Sequence, residues 1–328
     1  MLCSDPHCAQ NPNSHEIHEF YRRLSDQCKT LPYRSRKDEF FTVVHWGQRK
    51  LLIAEIEFLT ICGNEHQSRE VDTVVVYAGA APGTHVKALA KMFPWLQFVL
   101  VDPAPFTVSP TDKVKIIQKM FTNELAQELA NDIKGQIVFI SDVRSADYAI
   151  HKDSEKRIKD DMQAQWDWHI RLKAVRSMLK FRLPWDDAKS TYLDGDLHLP
   201  VWGPRSTTEC RLITDSQKPQ KTRVYDHKKY ESQMHYFNVT TRPSVYPHDV
   251  KAEGLDRCYD CRAEVEILRN YLASTGMHGD VARLSMWISR EISKSRTLKD
   301  QNPDIETRDK IIKRRQYING VPAYEKSE

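Results

Sequence analysis

Regular patterning begins at Lys50 to Cys62 (KLLIAEIEFLTIC), where Leu52, Ile56 and Leu59 recur at i, i+4 and i+7 and predict a helix with one buried face. Four apolar runs of strand length follow: Asp72 to Ala78 (DTVVVYA), Gln97 to Val101 (QFVLV), Val114 to Gln118 (VKIIQ) and Gln136 to Ser141 (QIVFIS). Between the first two, Val86, Leu89, Ala90 and Phe93 repeat at helical spacing, and Asn123 to Asp132 (NELAQELAND) reads as another helix. Strand, helix, strand, repeated, predicts an α/β fold with a central, mostly parallel sheet flanked by helices.

Residues 1 to about 35 are polar with scattered His and Tyr and read as an N-terminal arm laid on a domain. Arg144 to Asp161 is charged, without Gly or Pro, and is either a helix entry or a surface loop above the sheet. Met162, Trp166 and Ile170 then step by four and imply a helix before the run Ser177 to Leu183. Glu209 to Thr214 and His235 to Thr240 are later candidate strands, and Val281, Leu284, Ile288 and Ile292 form a helical stripe. From Lys299 the chain is charged and poor in large apolar residues. The expected organisation is an arm over 1–35, one domain over 36–298 and a flexible tail over 299–328.

The 328 residues are 40% hydrophobic and 29% charged, enough for one large core or two small ones. Forty-nine Lys and Arg against 45 Asp and Glu leave +4, so a basic cleft for nucleic acid would have to be local. No run approaches the roughly 18 to 20 apolar residues of a membrane span, and Met1 to Asn13 lacks the apolar centre of a signal peptide. A reducing compartment, the cytoplasm, is expected. Seven cysteines then read mostly as free thiols. Cys3 and Cys8 flank His7, and Cys258 pairs with Cys261, but the first spacing is loose and the second pair has no His nearby, so no metal is expected.

Tyr77-Ala78-Gly79-Ala80-Ala81-Pro82-Gly83-Thr84-His85 joins the first strand to its helix, at the carboxyl ends of the strands where open parallel sheets bind ligands. About twenty residues on, Asp102 closes the second strand, where a carboxylate accepts the hydroxyls of a ribose. Gly79-x-x-x-Gly83 is not the dinucleotide fingerprint, and no Walker lysine is present. S-adenosylmethionine, which has no pyrophosphate, suits the Ala-Pro in the loop better; the plainer alternative is a tight turn without a ligand.

Lys50, Asp142, Lys180 and Glu209 each bring an ionisable group to the helix before this sheet or to a strand end. Asp142 and Lys180 have apolar neighbours that would bury them, and a buried charge needs a partner. Singly, each also reads as a surface charge or a structural ion pair.

In order and spacing these four resemble the Lys-Asp-Lys-Glu tetrad of RNA 2'-O-ribose methyltransferases. Together with Gly47-Gln48-Arg49-Lys50, Tyr77 to His85, Ile140 to Ser145, Leu179 to Trp185, Tyr230-Glu231 and Tyr236-Phe237-Asn238, the chain resembles the poxvirus family of cap-specific mRNA 2'-O-methyltransferases. Members of that family also stimulate the viral poly(A) polymerase. The resemblance covers about residues 31 to 290. It implies a Rossmann-like S-adenosylmethionine-dependent fold and a catalytic set of Lys50, Asp142, Lys180 and Glu209, with Lys180 as base. The implied cofactor pocket is Gln48, Tyr77, Gly79, Gly83, His85, Asp102 and Asp142, with Phe121 against the adenine. Where the family has an Arg two residues after the acidic strand end, this chain has Ala104.

The same resemblance implies m7G-capped mRNA as substrate, with Trp185 stacking on the cap guanine and Asp187 and Glu231 meeting its N–H edge. A second stacking aromatic would come from the arm, as Tyr33 or Tyr21. A methylated guanine is a planar cation, which such aromatic and carboxylate groups suit. Without the resemblance, Trp185 reads as a core residue and Asp187 as a turn cap. Arg144, Lys173, Arg182 and Arg205 are candidate phosphate contacts, and Lys310 to Arg315 (KIIKRR) reads as a solvated helix, an RNA tail or a localisation signal. A poly(A) polymerase catalytic subunit is an implied partner. The alternatives are a 2'-O-methyltransferase of internal RNA sites and a non-catalytic polymerase-stimulating subunit; a nicotinamide dehydrogenase is disfavoured by the loop.

Overall fold

In the computed structural model the described residues are 16–34, 44–65, 72–146, 153–185, 188–204, 206–216, 220–252, 254–277 and 279–293. Cys3, His7, Cys8, Asp187, Arg205 and the tail with its basic run Lys310 to Arg315 lie outside them.

The elements run α1 (Val44–Glu65), β1 (Thr73–Ala78), α2 (Val86–Met92), β2 (Gln97–Val101), β3 (Val114–Ile117), α3 (Asn123–Asp132), β4 (Gln136–Ser141), α4 (Ser154–Arg171), β5 (Arg176–Phe181), β6 (Lys189–Leu193), β7 (Asp196–His198), β8 (Cys210–Asp215), β9 (Thr222–Asp226), α5 (His227–Tyr236), a π-helical turn over Phe237–Thr241, α6 (Tyr259–Thr275) and α7 (Val281–Ser293). Seven strands form one sheet in the order β3-β2-β1-β4-β5-β8-β7, and β6 pairs with β9 apart from it. The first five strands are parallel; β8 and β7 run antiparallel. This is a Rossmann-like α/β fold with a mostly parallel sheet, as the sequence predicts.

All but the first residue of β1 and of β4 is buried, because helices cover both faces of the sheet. The helices pack in two groups, α1 with α2, α6 and α7, and α3 with α4. Strand order reverses between β1 and β4, which opens a crevice at their carboxyl ends.

Two expectations need correction. The predicted first helix starts six residues too late: α1 takes in Gln48 and Arg49, polar yet buried. Arg49 sits in a pocket of partners, with Nε 2.9 Å from Glu264 Oε2 and Nη1 2.9 Å from Ser289 Oγ. His235 to Thr240 is not a strand; it finishes α5 and enters the π turn. Asp226 caps α5 by accepting from Lys229 N at 2.9 Å. Further on, Asn238 Nδ2 donates to Thr207 O and the fully buried Arg242 pairs with Asp260 at 2.8 Å, so tertiary contacts override the strand preference of an aromatic and β-branched run.

Residues 22–24 of the N-terminal segment lie against the sheet. Leu24 N donates to Leu197 O and Leu199 N to Arg22 O, both at 2.8 Å, so residues 22–24 run antiparallel beside β7. The Arg22 guanidinium forms a two-point pair with Glu57 of α1, at 3.1 and 2.8 Å, and donates to the Tyr259 hydroxyl of α6.

Candidate active site

Four segments bring charge to the carboxyl edge of β4 and β5. Lys50 comes from α1, Asp142 directly follows β4, Lys180 is the penultimate residue of β5, and Glu209 directly precedes β8. The structure brings all four together. Lys50 Nζ lies 2.8 Å from Glu209 Oε1, and Lys180 Nζ lies 3.1 Å from Asp142 Oδ1 and 3.5 Å from Glu209 Oε2.

A fifth member escaped the sequence reading. Arg211 Nη2 sits 2.7 Å from Asp142 Oδ1 and 3.2 Å from Glu209 Oε1, and Arg211 is itself buried. The available signal was its spacing of two from Glu209, which puts both side chains on one side of an extended segment.

The electrostatics follow from burial and these contacts. Burial lowers the Lys180 pKa by disfavouring the ammonium; Asp142 and Glu209 pull upward and Lys50 and Arg211 downward, and the net direction is below an ordinary lysine. Burial alone would raise Glu209, but Lys180, Lys50 and Arg211 outweigh it and hold the carboxyl well below its usual range. Asp142 is likewise lowered, with Lys180 and Arg211 overcoming burial. With Lys50 and Arg211 cationic and the two carboxylates anionic, the cluster is neutral when Lys180 is neutral.

Of the expected cofactor residues, Gly79 and Gly83 follow β1 and Asp102 follows β2, at the carboxyl edge of the sheet. Gly79 has φ +78°, and a Cβ there would meet Val143 N at 2.9 Å, so only glycine lets the turn after β1 press against the segment that carries Asp142. Gly83 also has positive φ. Asp102 Oδ2 accepts from Ala81 N at 3.1 Å and Oδ1 from Ala104 N at 2.8 Å. The backbone of Ala104 thus braces the carboxylate at the position where the resembled family has an arginine. Burial raises the Asp102 pKa, against the pull of those two N–H groups.

His85 is fully buried, its Nδ1 2.7 Å from Gln48 Oε1 and its Nε2 2.9 Å from Glu55 Oε1. The Tyr77 hydroxyl, also buried, has the carboxyl of Glu55 as its neighbour, and burial together with that carboxyl holds its pKa well above the ordinary value. Phe121 is buried too, with its ring centroid 4.9 Å from that of Trp168 and 5.7 Å from that of Phe139. A braced carboxylate at a strand end and a glycine turn without basic side chains fit a nucleoside lacking a pyrophosphate.

The expected cap residues fall in two places. Trp185 is 56% exposed, against the expectation for a core tryptophan, and the Arg182 guanidinium stacks on its ring at 4.3 Å from the centroid. Tyr33 and Glu231 line one small cavity with Ser206, Thr208, His235 and Asn238, and the Tyr33 and His235 rings meet edge to face at 5.4 Å. Tyr21 is held elsewhere, by Thr241 Oγ1 at 3.1 Å, and burial pushes its hydroxyl up to about 12. Of the candidate phosphate contacts, Arg144 lies 3.6 Å from Asp161 and Arg182 pairs with Glu155, while Lys173 precedes β5 at the end of the sheet away from Lys180.

Cys258 and Cys261 lie with Asp256 so that their donor atoms are within 4.8 Å of one another. Each also serves the start of α6: Cys258 Sγ accepts from Cys261 N, and Asp256 Oδ1 from Cys258 N.

Fold and cluster together define a methyltransferase-type α/β scaffold with a lysine-centred polar site at its switch point. The chain belongs to the poly A polymerase regulatory subunit family, whose sequence model matches residues 19–275. Among curated proteins it is 30% identical over 215 residues to the cap-specific mRNA (nucleoside-2'-O-)-methyltransferase of Fowlpox virus (strain NVSL), covering 61% of this chain and 68% of that protein. It is 28% identical over 222 residues to the protein of the same name from Myxoma virus (strain Lausanne), covering 61% and 63%. A solved structure of bluetongue virus VP4, described as an RNA-capping production line, aligns with 76% of this chain and 37% of its own at 12% identity and a TM-score of 0.47. Among the described residues no helix is long and apolar enough to cross a membrane.

Proposed function

We propose that this protein is an S-adenosylmethionine-dependent methyltransferase that methylates the 2'-OH of the first transcribed nucleotide of m7G-capped mRNA. The observation that carries the reading is the meeting of Lys50, Asp142, Lys180 and Glu209 beside the Gly79 turn, in a chain similar to proteins with that activity.

S-adenosylmethionine, when bound, supplies a methyl group on a sulfonium. Asp102 would hold its ribose and the Gly79 turn would admit it, with Gln48, Tyr77, Gly83, His85 and Phe121 around it. Attack by a ribose hydroxyl requires loss of its proton, and Lys180 is the group to take it. Burial favours the neutral amine before the reaction, and Asp142 and Glu209 hold the ammonium afterwards. Lys50 and Arg211 fix the two carboxylates. Trp185 would stack on the cap base, with Glu231, Asp187 and Tyr33 completing its recognition. A poly(A) polymerase catalytic subunit is the second partner in this reading, drawn from the description of the family.

The test is transfer of a labelled methyl group to short RNAs ending in methylated cap, unmethylated cap or triphosphate, with Lys180→Ala as control. Transfer to the first nucleotide of methyl-capped RNA, lost in the variant, is the expected result. Capped RNA that binds without being methylated would instead leave a polymerase-stimulating subunit.

A further inference from the structure

Helix α4 touches the site at two points that the proposed reaction leaves unexplained. Near its middle, Gln165 is fully buried and spends its whole amide on the backbone of Lys180. Its Oε1 accepts from Lys180 N at 3.0 Å and its Nε2 donates to Lys180 O at 3.2 Å. Pairing of β4 with β5 stops at Ser141 and Leu179, one residue short of the lysine. Gln165 therefore supplies the donor and acceptor that a neighbouring strand would have offered, and buried backbone groups require such partners.

At the start of the helix, Glu155 holds Trp185 twice. Its Oε2 accepts from Trp185 N at 2.9 Å, and its Oε1 pairs at 3.1 Å with Arg182, whose guanidinium lies on the indole. Ten helical residues separate Glu155 from Gln165, a rise of about 15 Å. Five residues separate Lys180 from Trp185, a reach of about 16 Å when extended. The helix and the chain leaving β5 run in opposite directions with both ends pinned.

We infer that Gln165 and Glu155 are two independent positioning residues on one helix, Gln165 setting the turnover of the base and Glu155 setting the preference for a methylated cap. The inference rests on the reading of Lys180 as base and Trp185 as cap platform. Because one rigid helix holds both groups, it also fixes how far the cap lies from the nucleotide that reacts.

The experiment compares full-length Gln165→Met and Glu155→Gln with the wild type, using methyl-capped and unmethylated-cap RNAs across pH and checking folding by thermal melting. Gln165→Met is expected to lower kcat by up to about 10²-fold on both RNAs, the cost of a small misplacement of a reacting group. KM should stay unchanged, and the pH midpoint of kcat should move upward as Lys180 gains access to water. Glu155→Gln is expected to leave saturated kcat and its pH midpoint in place and raise KM for methyl-capped RNA about tenfold, erasing the preference between caps. Should Gln165→Met not fold, Gln165→Asn keeps the amide at shorter reach and is expected to shift the same midpoint by less. Variants that lose kcat and KM alike, or a midpoint unmoved by either Gln165 change, would overturn the inference with the functional reading intact. A wild type inactive on every RNA would overturn that reading and the inference with it.

Discussion

Lys180 and Arg211 face each other as register partners across β5 and β8, two cations side by side in the interior of a sheet. Like charges opposed in this way destabilise a sheet unless compensated, and here Asp142 and Glu209 do so. The pair places a permanent guanidinium beside a lysine whose proton has to be mobile. Single-turnover kcat is expected to rise with pH through a midpoint below that of an ordinary lysine, because burial, Lys50 and Arg211 favour the neutral amine. Lys50→Ala removes one of those cations, so the ammonium is favoured and the midpoint moves up; an unchanged or lower midpoint would remove Lys180 as the titrating group. Lys180→Ala should cost about 10² to 10⁴ in rate with cofactor affinity kept.

Asp102 makes a second pH signature. Burial raises its pKa, so its carboxylate is lost at a higher pH than an ordinary aspartate. Affinity for S-adenosylmethionine, measured by calorimetry, is expected to weaken as pH falls through that raised value. Asp102→Asn should weaken it about tenfold to a hundredfold at neutral pH, the scale of a hydrogen bond to a charged group.

Gly79→Ala tests the turn. The new methyl group would meet backbone at 2.9 Å from a residue already at φ +78°. A loss of about 1 to 3 kcal/mol in unfolding free energy is expected, together with loss of cofactor binding in the molecules that remain folded. Full binding in the alanine variant would show that the close approach of the two segments is dispensable.

Glu57 links acid stability to the arm. Burial alone would raise its carboxyl, but Arg22 and then His198 pull it down to about 2 from an ordinary 4.5. A depressed carboxylate stabilises the fold fully above the unfolded value and loses that contribution as pH falls toward the folded one. The melting temperature should therefore drop between about pH 4.5 and 2, and Glu57→Gln should flatten that part of the curve. Arg22→Ala, which leaves the carboxylate of Glu57 with His198 alone beside it, should cost up to about 3 kcal/mol at neutral pH.

Much of the sheet was legible in the sequence because strands buried on both faces read as near-continuous apolar runs, as Thr73–Ala78 and Gln136–Ser141 do. Helix α6 was not, because two of its buried positions are acidic: Asp260 and Glu264 are matched by Arg242 and Arg49 from elsewhere in the chain, a pairing invisible to local periodicity. The π turn was misread for a similar reason, since Phe237 and Val239 suggest a strand until Asn238 and Arg242 find their partners. In the site, Lys50, Asp142, Lys180 and Glu209 could be found as a set through the resemblance of their order and spacing to a known family. Arg211 and Gln165 could not, since one acts across a strand pair and the other from a helix onto backbone.

The arm beside β7 has a consequence for the protein in solution. β7 is the last strand of the sheet, and the outward carbonyl of Leu197 and amide of Leu199 are taken by Leu24 and Arg22. A bare terminal strand is a template on which another chain can add its own backbone. By occupying it, three residues of a mostly polar segment keep this edge of the sheet from adding another chain, and the Arg22–Glu57 pair is the latch that keeps them in place.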